Sequence, residues 1–569
     1  MKKRFGLLLA AGLCALPGWA EPLLKITGSL GAQGELLMRY EPPPGVRELP
    51  FWPPTPHGQR GWRQKMARAA DACTELTPSA LRLKPGCRAA TLKVTPRMLA
   101  EYATYEPAQP QSDGSGVLLH SGHYAVLLPG TALRWRWRAP MVLQRGAAHA
   151  TSATLAVPAA AVDAELQASG DEHQRRAGLA EYVFLGRRPA QNLGSVWLVL
   201  DGALDAARAS AVRERLSGSV QAYTQAYSQA LPASGALVVT LSDLPGFHGD
   251  TTHGRMMRLR LPSDAGTMSA EDLALFVAHE AGHWWNRGLF RSDVERPWLH
   301  EGHAEWLAFV QQAQAGLLAP ERLRERVEGY LNGCLAARGE RPAASLPTGR
   351  RGQEDYACGL SLMQLAQAAH AQRQPAPQPP LRRLASLHEG AARLDVARLV
   401  DWADGPDGAW LRRLLQDPQQ PFASGFVHAM QDLGLADPRP VAGSADLDPG
   451  LRQRQAMDLM SRVMAADCGG TSSFWGLADG AQLDADVSCQ SLRVGQRVRG
   501  LQGQALMGQP VEAWDAVHAA CARGEPIRVD YTDGPSSQQT CPKDFPPRAL
   551  RTLLKLRPEA LQRWGFPAG

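Results

Sequence analysis

The spacing of apolar and polar residues predicts strands in the first part of the chain. Residues 21–190 carry short alternating or apolar runs such as Glu35–Tyr40, Gly116–Leu119 and His123–Leu128, broken by proline and glycine. Runs of this length between turn residues are typical of β-strands. The sequence therefore predicts a β-rich N-terminal domain over residues 21–190.

Helical spacing dominates residues 191–440, with a few strands near the start. Val196–Leu200 and Ala236–Leu241 are predicted strands on either side of a helix near 204–230. Later helices are expected at three segments: Leu273–Trp285, Glu301–Gln312 and Pro320–Cys334. The pattern predicts an α/β domain over residues 191–440.

A third predicted domain, residues 451–569, follows the turn-rich stretch Ala436–Gly450. It contains Leu492–Val498, a helix near Val511–Ala520 and a strand near Ile527–Tyr531. This order resembles a PDZ domain, a module that binds an extended peptide by strand addition. A generic small αβ domain is the alternative. The expected fold class is thus α+β and multidomain.

The N-terminus has the pattern of a secretory signal peptide. Lys2, Lys3 and Arg4 precede the apolar run Phe5–Pro17, and small residues precede a cleavage position after Ala20. No later segment approaches the roughly 18 uninterrupted apolar residues that span a bilayer, so no membrane insertion is expected. Residues 1–20 are therefore predicted to be removed from a periplasmic or secreted protein.

Eight of the nine cysteines fall as spaced pairs, and the ninth, Cys14, lies in the predicted signal peptide. An even number of cysteines in an exported chain indicates disulfides. Neighbour pairing predicts four bridges: Cys73–Cys87, Cys334–Cys358, Cys468–Cys489 and Cys521–Cys541. Spacing alone supports this choice among about 105 full pairings. A free nucleophilic Cys358 is the competing interpretation.

Length and charge add less to the picture. The chain has 569 residues, 44% of them hydrophobic, which is sufficient for several separately cored domains. Its formal net charge of +6 includes three basic residues of the predicted signal peptide. Because no dense basic stripe occurs, a nucleic-acid partner is not expected. The oligomeric state is left open.

The strongest chemical pattern is His279-Glu280-Ala281-Gly282-His283, followed downstream by Glu301. On a helix the two histidines project from one face, one turn apart, so both imidazoles can reach one metal ion. Glu280 can direct its carboxylate at a metal-bound water, and Glu301 offers a third ligand. The fourth position stays open, as catalytic zinc requires. The pattern predicts one zinc ion per chain and peptide-bond hydrolysis; a chance match is the alternative.

The flanking residues favour the helix that this site needs. Ser269 is an N-cap candidate with an acidic residue three positions on. Apolar residues recur with helical spacing at Leu273, Phe276, Val277, Ala281 and Trp284. Glu305 could accept a hydrogen bond from a ligand histidine, or it could be a solvated helix residue. His300 and His303 are expected on other helix faces and not as ligands.

The motif H-E-x-x-H followed by W-L-H-E-G resembles the gluzincin metallopeptidases, in particular the alanyl/leucyl-type and glycyl-type zinc aminopeptidases. The run H-W-W-N from His283 is most similar to the glycyl-type pattern, whose members carry a PDZ domain near the C-terminus. The resemblance implies that His279, His283 and Glu301 bind zinc, and that Glu280 is the general base and acid. It also implies a thermolysin-like catalytic domain over 191–440.

A second part of the resemblance falls on Tyr356. The segment Tyr356-Ala357-Cys358-Gly359 is similar to the Y-x-K-G segment of these aminopeptidases, with cysteine in place of lysine. The resemblance implies that the Tyr356 hydroxyl stabilises the oxyanion, as a neutral donor opposite the metal would. A tyrosine packed in the core at a helix start is the alternative.

The substrate-binding motif of the family is altered. The aminopeptidases carry G-x-M-E-N on an edge strand, where the glutamate binds the free amino group of the substrate. The matching stretch here is Gly254-Arg255-Met256-Met257-Arg258. We expect Gly254, Met256 and Met257 to contact substrate, but a thioether cannot hold an ammonium group and a guanidinium repels it. Another carboxylate must bind the amine, or the enzyme cuts within chains, unless this stretch is misaligned.

Two classes of function follow. The first is an exported zinc metallopeptidase, either an aminopeptidase or an endopeptidase, that acts on peptides or proteins. The second is a peptide-binding envelope protein on a peptidase scaffold, with little or no activity. The complete ligand set with Glu280 and Tyr356 favours the first class, and the altered stretch at Met257 and Arg258 leaves room for the second.

Overall fold

The computed structural model describes most of the chain after the predicted signal peptide, which lies outside the described residues. The described ranges are 21–52, 61–98, 105–167, 179–231, 235–244, 246–252, 255–289, 291–292, 296–346, 353–374, 378–391, 393–404, 409–470, 473–484, 487–542 and 544–566. They form two compact units. One unit comprises the described residues up to Leu204 and those from 235 to 264, and the other comprises the described residues from 205 to 231 and from 265 onward.

The first unit begins with a nine-stranded sheet beside a three-stranded sheet, which confirms the β-rich N-terminal region. The strands are β1 (Leu23–Leu30), β2 (Leu36–Glu41), β3 (Glu48–Pro50), β4 (Ala67–Ala69), β5 (Thr74–Leu76), β6 (Ala80–Leu83), β7 (Ala90–Val94), β8 (Ala108–Pro110), β9 (Gly116–His120), β10 (Ala132–Gln144), β11 (Ala147–Val157) and β12 (Tyr182–Gly186). Two helices, α1 (Trp62–Met66) and α2 (Ala159–Gln167), accompany them. The large sheet runs β4-β7-β2-β1-β10-β12-β9-β8, with β11 on β10.

One predicted strand in this region is wrong. The segment His123–Leu128 is not a strand: Ser121–Tyr124 forms a 3-10 turn, and Val126 makes only an isolated bridge to Phe51. Its residues are buried without alternation. A short run buried on all sides gives no periodic signal that separates a strand from other buried backbone.

A five-stranded sheet completes the first unit. Its strands are β13 (Gln191–Asn192), β14 (Val196–Val199), β15 (Gly235–Ser242), β16 (His248–Thr252) and β17 (Met256–Pro262), in the order β13-β14-β15-β17-β16. The edge strand beside β17 is therefore the antiparallel β16, and β17 lies between β15 and β16. The expectation that Met256 and Met257 lie on an edge strand is wrong, since both pair on two sides. Gly254 lies outside the described residues.

The second unit is mainly helical. Its helices are α3 (Ala206–Tyr227), α4 (Ala270–His283), α5 (Pro297–Gln314), α6 (Pro320–Arg338), α7 (Gln353–Arg373), α8 (Pro380–Ala385), α9 (Val396–Asp404), α10 (Ala409–Gln416), α11 (Phe422–Asp432), α12 (Pro449–Asp467), α13 (Pro510–Ala522) and α14 (Ala560–Arg563). A π-helical turn, Trp284–Leu289, follows α4. Helix α5 begins at Pro297, before the predicted start at Glu301. Proline is favourable in the first turn of a helix, because a backbone N–H there has no partner within the helix.

The strands of the second unit are short and lie mostly near its C-terminus. They are β18 (Arg291–Ser292), β19 (Arg393–Leu394), β20 (Ala436–Pro440), β21 (Phe474–Leu477), β22 (Gly480–Leu483), β23 (Arg497–Leu501), β24 (Gln504–Ala505), β25 (Ile527–Tyr531), β26 (Ser537–Gln539) and β27 (Thr552–Leu556). A sheet of order β21-β22-β23-β25-β26, with β24 on β23, shares a core with α12 and α13. The predicted domain boundaries at 190, 440 and 451 stay predictions.

Four disulfides join the predicted neighbours, which confirms the pairing. They are Cys73–Cys87, Cys334–Cys358, Cys468–Cys489 and Cys521–Cys541. The alternative of a free, nucleophilic Cys358 is wrong. Within the described part of the chain, no helix combines the length and apolar character needed to cross a bilayer.

Candidate metal centre

The helix that carries both histidines begins where the sequence predicts. The Ser269 hydroxyl accepts a hydrogen bond from the backbone N–H of Asp272 at 3.0 Å, which caps α4. Arg326 on α6 forms ion pairs with Glu271 and Asp272 in the first turn of α4. Carboxylates at this end also complement the helix dipole. The cap and these ion pairs stabilise the start of α4, on which His279 and His283 lie one turn apart.

Three side-chain atoms converge between α4 and α5. The Nε2 atoms of His279 and His283 lie 3.2 Å apart, and Glu301 Oε2 lies 3.4 Å and 3.2 Å from them. A tetrahedral ion with bonds of about 2.0–2.1 Å requires its ligand atoms to lie about 3.3 Å apart. All three residues are buried. The donor set and its spacing therefore fit a zinc ion.

The opposite nitrogen of each imidazole is held by a polar partner. His279 Nδ1 lies 2.6 Å from a carboxylate oxygen of Glu305. His283 Nδ1 lies 3.1 Å from the Asn286 side-chain oxygen, and the Asn286 amide donates to the His300 carbonyl at 2.7 Å. These contacts set each ring so that Nε2 is directed at the converging atoms, as partners of metal-binding histidines do.

The acidic and basic groups of this cluster shift one another's pKa values. Burial opposes a charged imidazole, but Glu305 and Glu301 outweigh it and raise the pKa of His279 well above its ordinary value. Burial likewise opposes a charged carboxylate, yet His283 and His279 hold the pKa of Glu301 well below its usual range. Neighbouring groups of opposite sign therefore dominate over desolvation in this cluster.

The two residues predicted to act on substrate lie in or beside this cluster. Glu280 is buried on α4, next to His279. Tyr356 is half-buried on α7, and its ring centre lies 5.7 Å from that of His279. The structure thus brings Tyr356 into contact range of the three-ligand cluster from a third helix. Their catalytic roles stay predictions.

A crossing of two glycines allows α7 to approach α5 so closely. A methyl group built on Gly302 would lie 2.1 Å from the carbonyl carbon of Gly359, and one on Gly359 would lie 2.2 Å from the Trp298 carbonyl oxygen. No side chain fits at either position. Glu301 precedes the first glycine and Tyr356 lies one turn before the second, so the crossing fixes their separation.

A disulfide joins α7 to α6. Cys358, two residues after Tyr356 on α7, is bonded to Cys334 on α6. The Ser361 hydroxyl also donates a hydrogen bond, at 2.7 Å, to the Ala357 carbonyl oxygen on the same helix. The position that carries lysine in the resembled family is therefore used here as a covalent tie between helices.

The two remaining histidines of α5 differ from each other. His300 Nε2 lies 3.3 Å from the second carboxylate oxygen of Glu301, so its ring is beside the cluster. His300 still lies outside the three-ligand group. His303 packs against His388 with ring centres 4.9 Å apart, and burial lowers its pKa well below the ordinary value.

The altered substrate motif belongs to a buried network of the first unit. Arg258 is fully buried and forms ion pairs with Asp250 at 3.1 Å and with Glu106 at 2.9 Å. Its positive charge is therefore compensated, and the expected repulsion of an ammonium group does not follow. Met256 and Met257 are also buried. Their contact with substrate stays a prediction.

Sequence reasoning gave no role to Asn286, Gly302 or Gly359. A polar residue three positions after a ligand histidine falls near it on the next turn, so the Trp-Asn pair was an available signal. The glycine crossing gives no such signal, because it depends on which two helices meet.

No family model matches the chain, and no curated protein matches its sequence. Its fold does match a solved structure, an aminopeptidase N family protein from Idiomarina loihiensis, with a TM-score of 0.55 and 14% identity. The match covers 96% of this chain and 100% of that protein. At this identity the similarity shows the fold alone. The chain thus has the α+β fold of an aminopeptidase N family protein.

Two further solved structures are similar at lower scores. Yeast LTA4 hydrolase gives a TM-score of 0.39 at 12% identity, covering 78% of this chain and 72% of that one. An M1 zinc metallopeptidase from Deinococcus radiodurans gives 0.36 at 13% identity, covering 70% and 94%. Both TM-scores lie below 0.5.

Proposed function

We propose that the protein is an exported zinc metallopeptidase that hydrolyses peptide bonds. The observation that carries this proposal is the convergence of His279 Nε2, His283 Nε2 and Glu301 Oε2 within 3.2–3.4 Å of one another, beside the buried carboxylate of Glu280. Three protein ligands with one position left for water or substrate are typical of catalytic zinc.

Each surrounding residue then has a defined task. A bound zinc ion would supply a Lewis acid that makes water acidic and polarises a carbonyl group. Glu280 accepts the proton released by water and later gives it to the leaving amine. Tyr356 donates a hydrogen bond to the negative oxygen that develops on the attacked carbonyl. Glu305 and Asn286 keep the two imidazoles in the orientation that leaves Nε2 for the metal.

The expected partners are peptide or protein substrates. The four disulfides support export to the periplasm or outside the cell, where such bonds persist. For residues 451–569 the proposal is a PDZ-like module of the glycyl-type arrangement. Its support is β21, a strand at the edge of its sheet on which Trp475 is 52% exposed. An open edge of this kind can accept an extended peptide as an additional strand.

A digestion assay tests the proposal. Purified protein lacking residues 1–20 would be incubated with one peptide mixture, N-terminally free or blocked, with and without a zinc chelator, and products read by mass spectrometry. Chelator-sensitive removal of single residues from free peptides alone would identify an aminopeptidase. Cleavage of blocked peptides would identify an endopeptidase. Absence of cleavage in both would favour the peptide-binding alternative.

The variant Glu280→Gln separates the two classes of function. It removes the proton acceptor but changes none of the three ligands, so bound zinc should stay near one ion per chain while peptide cleavage disappears. Metal content measured on the same sample provides the control. Cleavage that persists in this variant would exclude the proposed mechanism.

A further inference from the structure

Glu305, the carboxylate behind His279, is itself held from a second helix. One oxygen of Glu305 lies 2.6 Å from His279 Nδ1. The other accepts a hydrogen bond from the hydroxyl of Tyr330 on α6. Both oxygens of this carboxylate are therefore engaged, one toward the metal ligand and one away from it. Phe309 packs edge-on against the Tyr330 ring, with ring centres 5.5 Å apart.

The Tyr330 hydroxyl remains a hydrogen-bond donor. Burial and the neighbouring Glu305 raise the pKa of Tyr330 well above its ordinary value, so the phenol keeps its proton. A phenol between an apolar ring and a carboxylate can satisfy its hydrogen only by donating to that carboxylate. Loss of this hydroxyl would leave Glu305 free to turn, since its side chain is not fully enclosed.

A cation from α12, the helix that begins the C-terminal region, lies on the same face of α6 as this tyrosine. The guanidinium of Arg454 on α12 lies over Gly333 of α6, where an added methyl group would come within 2.2 Å of Arg454 Nη1. This nitrogen is buried and has no hydrogen-bond partner among the described residues. Gly333 follows Tyr330 by three positions, so both lie on one face of α6. The Arg454 charge lowers the pKa of Tyr330, against the larger opposing effects of burial and Glu305.

We propose that Tyr330 is a positioning residue of the metal centre, which acts through Glu305 on the orientation of His279, and that Arg454 extends this chain to α12. A cation near the phenol oxygen makes its hydrogen a stronger donor to Glu305. The proposal deepens the function proposed above and rests on it. It also gives α12, and with it the C-terminal sheet, a physical route to one metal ligand.

Zinc affinity measured by competition with a chromophoric chelator tests the proposal without any need for a substrate. Partners of metal-binding histidines typically contribute 10- to 100-fold to metal affinity. We expect Tyr330→Phe to weaken zinc binding by roughly tenfold. This is the lower end of that range, because Tyr330 contacts Glu305 and not the ligand histidine itself. In a Glu305→Gln background the same change should add nothing, since the group through which it acts is already altered.

Tyr124→Phe is the matched control. Tyr124 is also a buried tyrosine, but its hydroxyl donates to the Pro107 carbonyl at 3.0 Å within the first unit and not to Glu305. This variant should keep the zinc affinity of the unaltered protein. Thermal unfolding of each zinc-free variant identifies any general loss of folding. Should Tyr330→Phe fail to fold, Arg454→Met tests the same chain from its far end, with a weaker zinc affinity expected.

The outcomes are distinguishable. Unchanged zinc affinity in Tyr330→Phe, or an equal loss with and without Glu305→Gln, would overturn the positioning role while leaving the peptidase proposal intact. Unchanged affinity in Arg454→Met would remove α12 from the chain. A protein that binds no zinc at all would overturn both the positioning role and the proposed function.

Discussion

The close crossing of α5 and α7 makes Gly359→Ala an informative perturbation. The added methyl group would lie 2.2 Å from the Trp298 carbonyl oxygen and 2.8 Å from Gly302 Cα. Non-bonded carbon atoms rest about 3.5–4.0 Å apart, so the two helices must separate by about 1 Å. The obstructing atoms are backbone and cannot rotate away. Overpacking of this kind costs about 1–3 kcal/mol of unfolding free energy.

The separation would move Tyr356 more than it moves the metal ligands. Tyr356 lies one turn before Gly359 on α7, whereas all three ligands lie on α4 and α5. A displacement of about 1 Å in a group that contacts the reacting atoms can reduce turnover by about 100-fold. We therefore expect Gly359→Ala to lose about two orders of magnitude in kcat while its zinc affinity stays within a few-fold.

Gly282→Ala provides the control within the same site. Its methyl group would meet Leu307 and Ala304 at 3.5–3.6 Å, which is ordinary contact. Alanine also stabilises a helix interior by up to about 1 kcal/mol relative to glycine. This variant should be as stable as the unaltered protein or more stable. Normal turnover together with normal stability in Gly359→Ala would refute the idea that the glycine crossing places Tyr356.

Three further measurements test other parts of the structure. Tyr356→Phe should lower turnover by roughly 10²–10³-fold with little loss of zinc, because one oxyanion donor is removed; unchanged turnover would exclude Tyr356 from the reaction. Replacing Cys334 and Cys358 together by serine should lower the unfolding free energy by about 3 kcal/mol, measured by denaturant titration, since their bridge closes a 24-residue separation. Burial lowers the pKa of His123 to about 3. Its unfolded value is about 6.5, so the contribution of His123 to the unfolding free energy is complete above that pH and falls by roughly 2 kcal/mol between pH 7 and 5. Denaturant titration of His123→Gln should show a decrease between pH 7 and 5 that is smaller by this amount.

Local patterns explain why much of the metal centre could be predicted. Ser269 and the apolar series of α4 fix the phase of one helix, and within that helix the separation of His279 and His283 follows from their spacing alone. Glu301 required one further assumption, that a second helix would return beside the first. The disulfide pairing could also be predicted from local spacing, because each bridge joins cysteines that are near neighbours in the chain.

The errors have a common physical origin in tertiary contacts. The strand expected at His123–Leu128 is a buried turn, since uniform burial leaves no periodicity. Met257 lies on an inner strand, because strand order depends on pairing between distant segments and β16 occupies that edge of the sheet. Arg258 presents no uncompensated charge, because Glu106, far away in the chain, forms an ion pair with it.

The metal-binding half of the site and the half that contains Tyr356 are held by different kinds of interaction. Two of the three ligands share one helix, and Asn286 follows within a turn, so much of the metal-binding half is local in sequence. Tyr356 reaches the site only through a helix crossing and a disulfide bond. Perturbations that loosen α7 should therefore abolish turnover before they release zinc. A protein in this state would bind metal and peptide without cleaving, which is the property expected of the alternative, peptide-binding class.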